Sequence, residues 1–407
     1  MYSAFKGKKI VVGITGGIAA YKAAGVVSKL AQAGADVRVI MTREACEFVT
    51  PLTFETLSRH KVLTDLFEAG GPAAPLLHVE LAYTAHLFVV MPATYNVIGK
   101  VAHGIADDFL TTTLAATRAP VLFCPAMESQ MYQNPIFREN KKKLEALGYR
   151  FLEPDKGHLA SGREGIGRFP SEERVLKAIE EILTESSLLK GLKVLVTAGP
   201  TREMIDPMRY ISNRSSGKQG YALAEQAVAL GADKVYLISG PTLLEPPAGV
   251  EFHRVESASE MRQAMRKRAK SCDVIVMAAA VADWRPKKAF QNKLAKKSQN
   301  ELKLAFEHTP DILKELGKKK RDGQILIGFA AETQNLLKNA HHKLIEKKLD
   351  LVVANDITKE GAGPEGDTNI ATLIYKNGKS ETLPKMTKRE LAKEIWKRVK
   401  TLCSGLI

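Results

Sequence analysis

Two stretches of this 407-residue chain begin alike: KIVVGIT (residues 9–15) and LKVLVT (residues 192–197) are continuous apolar runs rich in β-branched residues. Each leads into a glycine-containing turn, the signature of a buried parallel strand. After the first run, residues 18–33 have helical composition closed by Gly34, and residues 37–41 form a second strand pattern. Further strand runs at 87–91 and 121–124 are each followed by proline and a polar turn. Helices are predicted between and after them at 96–103, 108–117 and 136–147. The second half repeats the theme, with strands at 234–239, 273–279, 324–329, 350–354 and 370–375. Its helices read as 220–230, 259–270, 334–347 and 388–402. Such alternation predicts the α/β class, as two doubly wound Rossmann-like domains with mainly parallel sheets. The polar stretch 184–190 separates them, giving domains 1–188 and 189–407. In such sheets ligands bind beyond the carboxyl ends of the strands, so the loops there are the places to search.

Composition narrows the class. With 45% hydrophobic and 26% charged residues, the chain can bury ordinary cores and is not of the disordered type. Its four cysteines are widely spaced, with no CxxC pair or zinc-ligand spacing, and read as reduced thiols. The apolar run 10–14 is too short for a secretion signal or a membrane span. A soluble cytoplasmic protein is expected, with no membrane partner. The net charge of +15 raises the question of nucleic acid. Yet the runs 141–143, 266–268 and 318–321 fall on predicted helix faces or turns without interleaved aromatic stacking platforms, and read as solvated surface.

In the first half, Gly16-Gly17 stands at a strand-to-helix turn, where backbone N–H groups can hold a phosphate. The spacing Gly13-x-x-Gly16-Gly17 is not a GxGxxG fingerprint, which argues against a nicotinamide dehydrogenase. The segments GITGGIAAYK, MTREACEFVTPLTFETLS, HVEL, MPATYNVIGKVAHGIADDFLTT and CPAMESQM then occur in that order. Together they resemble the flavin-dependent phosphopantothenoylcysteine decarboxylases over nearly all of residues 9–169. The resemblance implies an FMN site, with the phosphate near Gly16, Gly17 and Thr42, and Thr94 and Asn96 on the same ligand face. It makes His78, in HVEL, the catalytic base; taken alone, His78 reads as an ordinary histidine at a segment end. A flavin fits the chemistry, because a carboxylate departs as CO₂ only if its electrons have somewhere to go.

Two positions depart from that family's pattern. Its PxMNxxM asparagine, which binds the substrate carboxylate, is Glu128 here, in PAMESQM. Its flap cysteine, the proton donor in the final reduction, is Ser161, in ASGREGIGR. Two carboxylates about 4 Å apart repel by roughly 4 kcal/mol at an effective dielectric near 20. Serine is also a far weaker acid than cysteine. Weak decarboxylation, with an enethiol left unreduced, is the expectation.

In the second half, TAGPTREMIDPMRYISNRSSGKQG (residues 197–220) gathers glycines, hydroxyls and basic residues ahead of a helix. That composition suits an anion site. Ser212 stands where a P-loop needs its first glycine, so this is not a Walker A motif. Downstream come AAAVADWRPKK, KLAKKS, TPDIL, IGFAAET and a helix with Lys343 and Lys347 four apart, hence on one face. In this order the set resembles phosphopantothenate–cysteine ligase over residues 191–400. The two halves fused this way resemble the bacterial bifunctional enzymes of coenzyme A synthesis.

The resemblance implies ligation through an acyl-cytidylate with CTP and Mg²⁺, followed by displacement of CMP by the cysteine amine. Asn213 would hold the acyl intermediate with Arg209 beside it, and Lys293 would neutralise the triphosphate. Asp283 would contact the nucleotide or its metal. Met277, Ala278, Ala279, Thr309, Pro310, Asp311, Ile312, Phe329, Lys343 and Lys347 would line the CTP pocket. KLAKKS carries one residue more than the family's usual KIKK, leaving the choice between Lys293 and Lys296 open. The leading expectation is a decarboxylase and ligase in one chain, a homo-oligomer taking small-molecule substrates. Its rivals are a ligase with a flavin-binding scaffold and, more remotely, a basic nucleic-acid-binding protein.

Overall fold

The computed structural model describes residues 3–66, 76–294, 302–332, 334–356, 358–359, 361 and 363–403. The chain forms two compact units, Met1–Glu185 and Ser186–Ile407. In the first, β1 (Lys9–Ile14), β2 (Asp36–Met41), β3 (Leu87–Ala93), β4 (Val121–Pro125) and β5 (Arg150–Phe151) pair in parallel in the order β2-β1-β3-β4-β5. Every residue of β3 is buried, as a strand covered on both faces must be. Alternation within β1 divides the core. Ile10, Val12 and Ile14 pack with the helices Ala20–Gln32, Pro51–Ser58 and Glu172–Glu185. Val11 faces the opposite layer, which holds the helices Leu77–Thr84, Tyr95–His103, Phe109–Ala116 and Pro135–Ala146. The chain turns outward in opposite directions from β1 and β3, which opens a crevice at their carboxyl ends.

A hairpin of β6 (Asp155–His158) and β7 (Glu164–Arg168) forms a flap that the periodicity does not announce. Gly167 docks it: its amide oxygen accepts from Met127 N at 3.0 Å. A Cβ at Gly167 would meet the Met127 oxygen at 2.0 Å.

In the second unit, β8 (Lys193–Ala198) is followed by a hairpin of β9 (Arg202–Met204) and β10 (Tyr210–Ser212). The remaining strands are β11 (Lys234–Ser239), β12 (Glu251–Arg254), β13 (Val274–Met277), β14 (Trp284–Pro286), β15 (Phe306–His308), β16 (Ile325–Glu332), β17 (Leu351–Asp356), β18 (Thr368–Asn369), β19 (Ala371–Tyr375), β20 (Ser380–Thr382) and β21 (Met386–Thr387). The main sheet runs β12-β11-β8-β13-β16-β17-β19-β20, parallel as far as β17 and antiparallel after it. One face packs on the helices Lys218–Ala229 and Lys388–Cys403, where fully buried Trp396 donates to Leu223 O at 2.9 Å. The other packs on Ala258–Arg268, Ile312–Lys318 and Leu336–Glu346.

The basic runs are less uniformly solvated than the sequence suggests. Lys141 pairs with Glu153 and lies 5.7 Å from the Phe151 ring centre. Arg268 sits 5.7 Å from the Tyr236 ring centre, and Lys320 pairs with Asp350 at 2.7 Å. Long cationic side chains cover apolar surface with their stems, so one member of each run is held by its own unit. All four cysteines are unbridged. Among the described residues no helix is long and apolar enough to cross a membrane.

Candidate functional sites

The crevice of the first unit is a cavity of about 720 Å³. Its back wall is knitted by Thr15, whose hydroxyl donates to Pro92 O at 2.6 Å and accepts from Thr94 N at 3.1 Å, joining the ends of β1 and β3. Gly16 lets the end of β2 close in, since a Cβ there would meet Glu44 Cβ at 2.3 Å. Thr42 and Thr94 are both N-caps, accepting from Ala45 N and Val97 N at 3.3 and 3.4 Å. Each threonine therefore has a structural duty as well as a place on the cavity wall. Gly16, Gly17, Thr42, Thr94, Asn96, Glu128 and Ser161, all singled out from sequence, line this one cavity.

The sequence reading missed the floor and rim of the cavity, where Tyr21, Lys22, Lys100, Asp108 and Phe169 stand. Lys100 donates to Asp107 at 2.7 Å and Asp108 at 3.3 Å, and the bond to Asp107 in particular raises its pKa. Asp108 in turn forms a reciprocal capping box with Thr111. The signal for it was the D-x-x-T spacing before an apolar run. His78 is not among the residues lining the cavity. It is half-buried in Leu77–Thr84, with its ring edge-on to Phe109 at 6.4 Å between centres. The two departures from the family pattern meet each other: Ser161 Oγ donates to Glu128 Oε2 at 2.7 Å.

The second unit has a cavity of about 320 Å³ at the ends of β13 and β16. Buried threonines of TAGPT hold the AAAVAD segment beneath it. Thr197 Oγ1 accepts from Ala279 N at 3.2 Å, and Thr201 Oγ1 from Ala282 N at 3.0 Å. On the other side Thr309 Oγ1 donates to Ala282 O at 2.6 Å, and Asn213 Nδ2 donates to Val281 O at 2.9 Å. Of the predicted nucleotide pocket, Met277, Ala279, Asp283, Thr309, Pro310, Asp311, Ile312, Phe329, Lys343 and Lys347 line this cavity. Ala278 and Lys293 do not; Val281, His308 and Leu313 join unforeseen. His308 stacks on Trp284 with ring centres 3.9 Å apart. Lys296 and Thr333 lie outside the described residues.

The electrostatics of this cavity are unusual. Burial depresses the pKa of Lys343, and the neighbouring Lys347 depresses it further against the pull of Glu332, Asp283 and Asp311. Its ammonium donates to Phe329 O at 2.6 Å. Burial would raise the Asp311 carboxyl, but the Lys314 amide and Lys347, 2.9 Å away, hold it below the usual carboxylate range. Two lysines and two aspartates thus share one small cleft. Beside Ser215, Ser216, Lys218 and Arg254 lies a separate opening of about 890 Å³, where Lys218 pairs with Asp367 at 2.6 Å.

The Flavoprotein family matches residues 2–184, and the family described as the DNA/pantothenate metabolism flavoprotein C-terminal domain matches residues 189–402. The coenzyme A biosynthesis bifunctional protein CoaBC of Bacillus subtilis (strain 168) is 49% identical over 398 residues, covering 97% of each chain. The protein of the same name from Borreliella burgdorferi is 44% identical, over 96% of this chain and 99% of its own. A crystal structure of the C-terminal domain of a CoaBC protein is 45% identical, covering 54% of this chain and all of its own with a TM-score of 0.46. With the two family matches in tandem and relatives this similar over nearly their whole length, the chain belongs to the coenzyme A biosynthesis bifunctional family.

Proposed function

We propose that the chain ligates cysteine to 4'-phosphopantothenate at the expense of CTP in its second unit and decarboxylates the product in its first. The observation that carries the reading is the cleft holding Lys343, Lys347, Asp283 and Asp311 together. Attack of a carboxylate on the α-phosphate gathers negative charge, so the reaction needs fixed cations rather than a covalent nucleophile. Lys343 and Lys347 supply them from one wall. Lys293, in the exposed segment after β14 and outside the cavity lining, would have to move toward the bound triphosphate to add its charge. Mg²⁺ is commonly held by one or two carboxylates together with substrate phosphates. Asp283 and Asp311 fit that role, although no described cluster of three or more acidic, His or Cys groups could cage a metal. Asn213, tied to Val281 O, would present its amide oxygen to the acyl intermediate.

The first cavity suits FMN in size, since bound ligands of this kind fill pockets of roughly 300–1,000 Å³. The glycine turn leaves the cavity wall open: a Cβ on Gly17 would have only Thr94 Cγ2, 3.8 Å off, within 4 Å, and both residues line the cavity. Gly16, Gly17, Thr42, Thr94 and Asn96 would hold the flavin. Bound flavin would supply the electron sink that decarboxylation requires. The chain's own part is to cover the substrate with the β6–β7 flap and to manage a proton at Ser161. That hydroxyl is a weak acid and is directed at Glu128. Reduced product should therefore form slowly after CO₂ leaves.

Pyrophosphate release from CTP in the presence of 4'-phosphopantothenate, cysteine and Mg²⁺ tests the ligase reading. No pyrophosphate would refute it.

A further inference from the structure

Asp206 is buried to 1% exposure in the second unit, yet it lines none of the cavities described above. Its two oxygens divide their bonds in an informative way. Oδ1 accepts from Met208 N at 2.7 Å and Arg209 N at 2.8 Å. This is the pattern of an aspartate closing a local turn, here between β9 and β10. Oδ2 does something the turn does not need. It accepts from the Arg209 guanidinium at 2.8 Å and from Leu294 N at 3.1 Å, the latter 88 residues away in sequence. Two more bonds run beside it, from Phe290 N to Ile205 O at 2.8 Å and from Arg209 Nη1 to Leu294 O at 3.4 Å.

Burial would raise this carboxyl, but the amides of Met208, Leu294 and Arg209 and the Arg209 charge hold it below the usual range. Only an ionised carboxylate offers enough acceptors for four donors. One carboxylate therefore fastens two chain segments. One carries Arg209, and the other carries Lys293 immediately before the bonded Leu294 amide.

We propose that Asp206 is a positioning residue for ligation, whose Oδ2 holds the Lys293 segment and the Arg209 side chain in one arrangement. The proposal rests on the ligase reading above. Without the bridge, both cations remain in the protein but lose their fixed placement, and small displacements of positioned groups carry large rate penalties. Asp206→Asn is a selective probe. Its amide oxygen can still serve the Met208 and Arg209 amides, while its NH₂ faces donors where Oδ2 had accepted.

The expected result is a fall of roughly 10²-fold in kcat for pyrophosphate release, little change in the KM for CTP, and a thermal midpoint near that of the wild type. A double-mutant cycle with Lys293→Gln reads the coupling. If Asp206 acts through Lys293, adding Asp206→Asn to Lys293→Gln costs far less than it does alone. Leu294→Pro removes the bonded N–H without touching the turn. It should reproduce the loss even if Asp206→Asn fails to fold. Full additivity in the cycle, or an unchanged kcat in both bridge variants of a wild-type-active enzyme, would overturn the proposal alone. A wild-type protein without pyrophosphate release would overturn the ligase reading with it.

Discussion

Lys343 shows how a residue's surroundings set its chemistry. Its charge is lost at a lower pH than that of an ordinary lysine, near 10.4, because burial disfavours the ammonium. Between the depressed and the ordinary pKa the folded state binds fewer protons than the unfolded chain, so stability rises with pH across that window. The cation available to a triphosphate falls over the same window. The KM for CTP should accordingly rise with pH earlier than an exposed lysine would allow. Lys343→Arg, which stays charged, should flatten that rise, and superimposable KM profiles for the two proteins would contradict the assignment. A second comparison concerns the KLAKKS segment. Lys293→Gln is expected to lower the ligation rate about 10²- to 10³-fold, and more than Lys296→Gln does. The reverse order would place the triphosphate lysine at 296. The pocket residues were legible because strand-end loops carry their motifs in fixed order. Asp206 was not, because nothing in IDPMR reveals a partner 88 positions away.

At the level of elements, long apolar runs declared themselves and short exposed ones did not. β3 and β13 are buried throughout, so their composition alone betrays them. The flap strands β6 and β7 are largely half-buried or exposed and rich in glycine and charge, leaving no alternation to read. β19 was visible as a strand, but its antiparallel pairing with β17 depends on the connection and not on its five buried residues. Glycine roles show only in three dimensions. A Cβ on Gly220 would meet Ala198 Cβ at 2.5 Å and Thr197 O at 2.8 Å. Gly220→Ala should therefore force the Lys218–Ala229 helix off β8 at a cost of about 1–3 kcal/mol. The lowered thermal midpoint should come with loss of ligase activity before loss of bound flavin. In the flap, Glu128→Asn combined with Ser161→Cys removes the bonded pair and installs a stronger acid. Product mass spectrometry should then shift from enethiol toward fully reduced phosphopantetheine, with faster turnover. Fully reduced product formed rapidly by the unaltered chain would contradict the role given to Ser161.

The whole molecule carries a net charge of +15, yet its cations are deployed locally. Lys141, Arg268 and Lys320 each serve their own unit, and Lys343 and Lys347 face a cleft of ligand size. This distribution suits anionic small molecules better than an extended phosphate backbone. The proposed reactions also link the two units by chemistry, since the ligated product of the second would be the substrate of the first. Cysteine labelled in its carboxyl carbon follows that sequence directly. Supplied with 4'-phosphopantothenate, Mg²⁺ and the flavin-loaded protein, it should release labelled CO₂ only when CTP is added. Release without CTP, or none with CTP under conditions that yield pyrophosphate, would contradict the account that the two units act in succession.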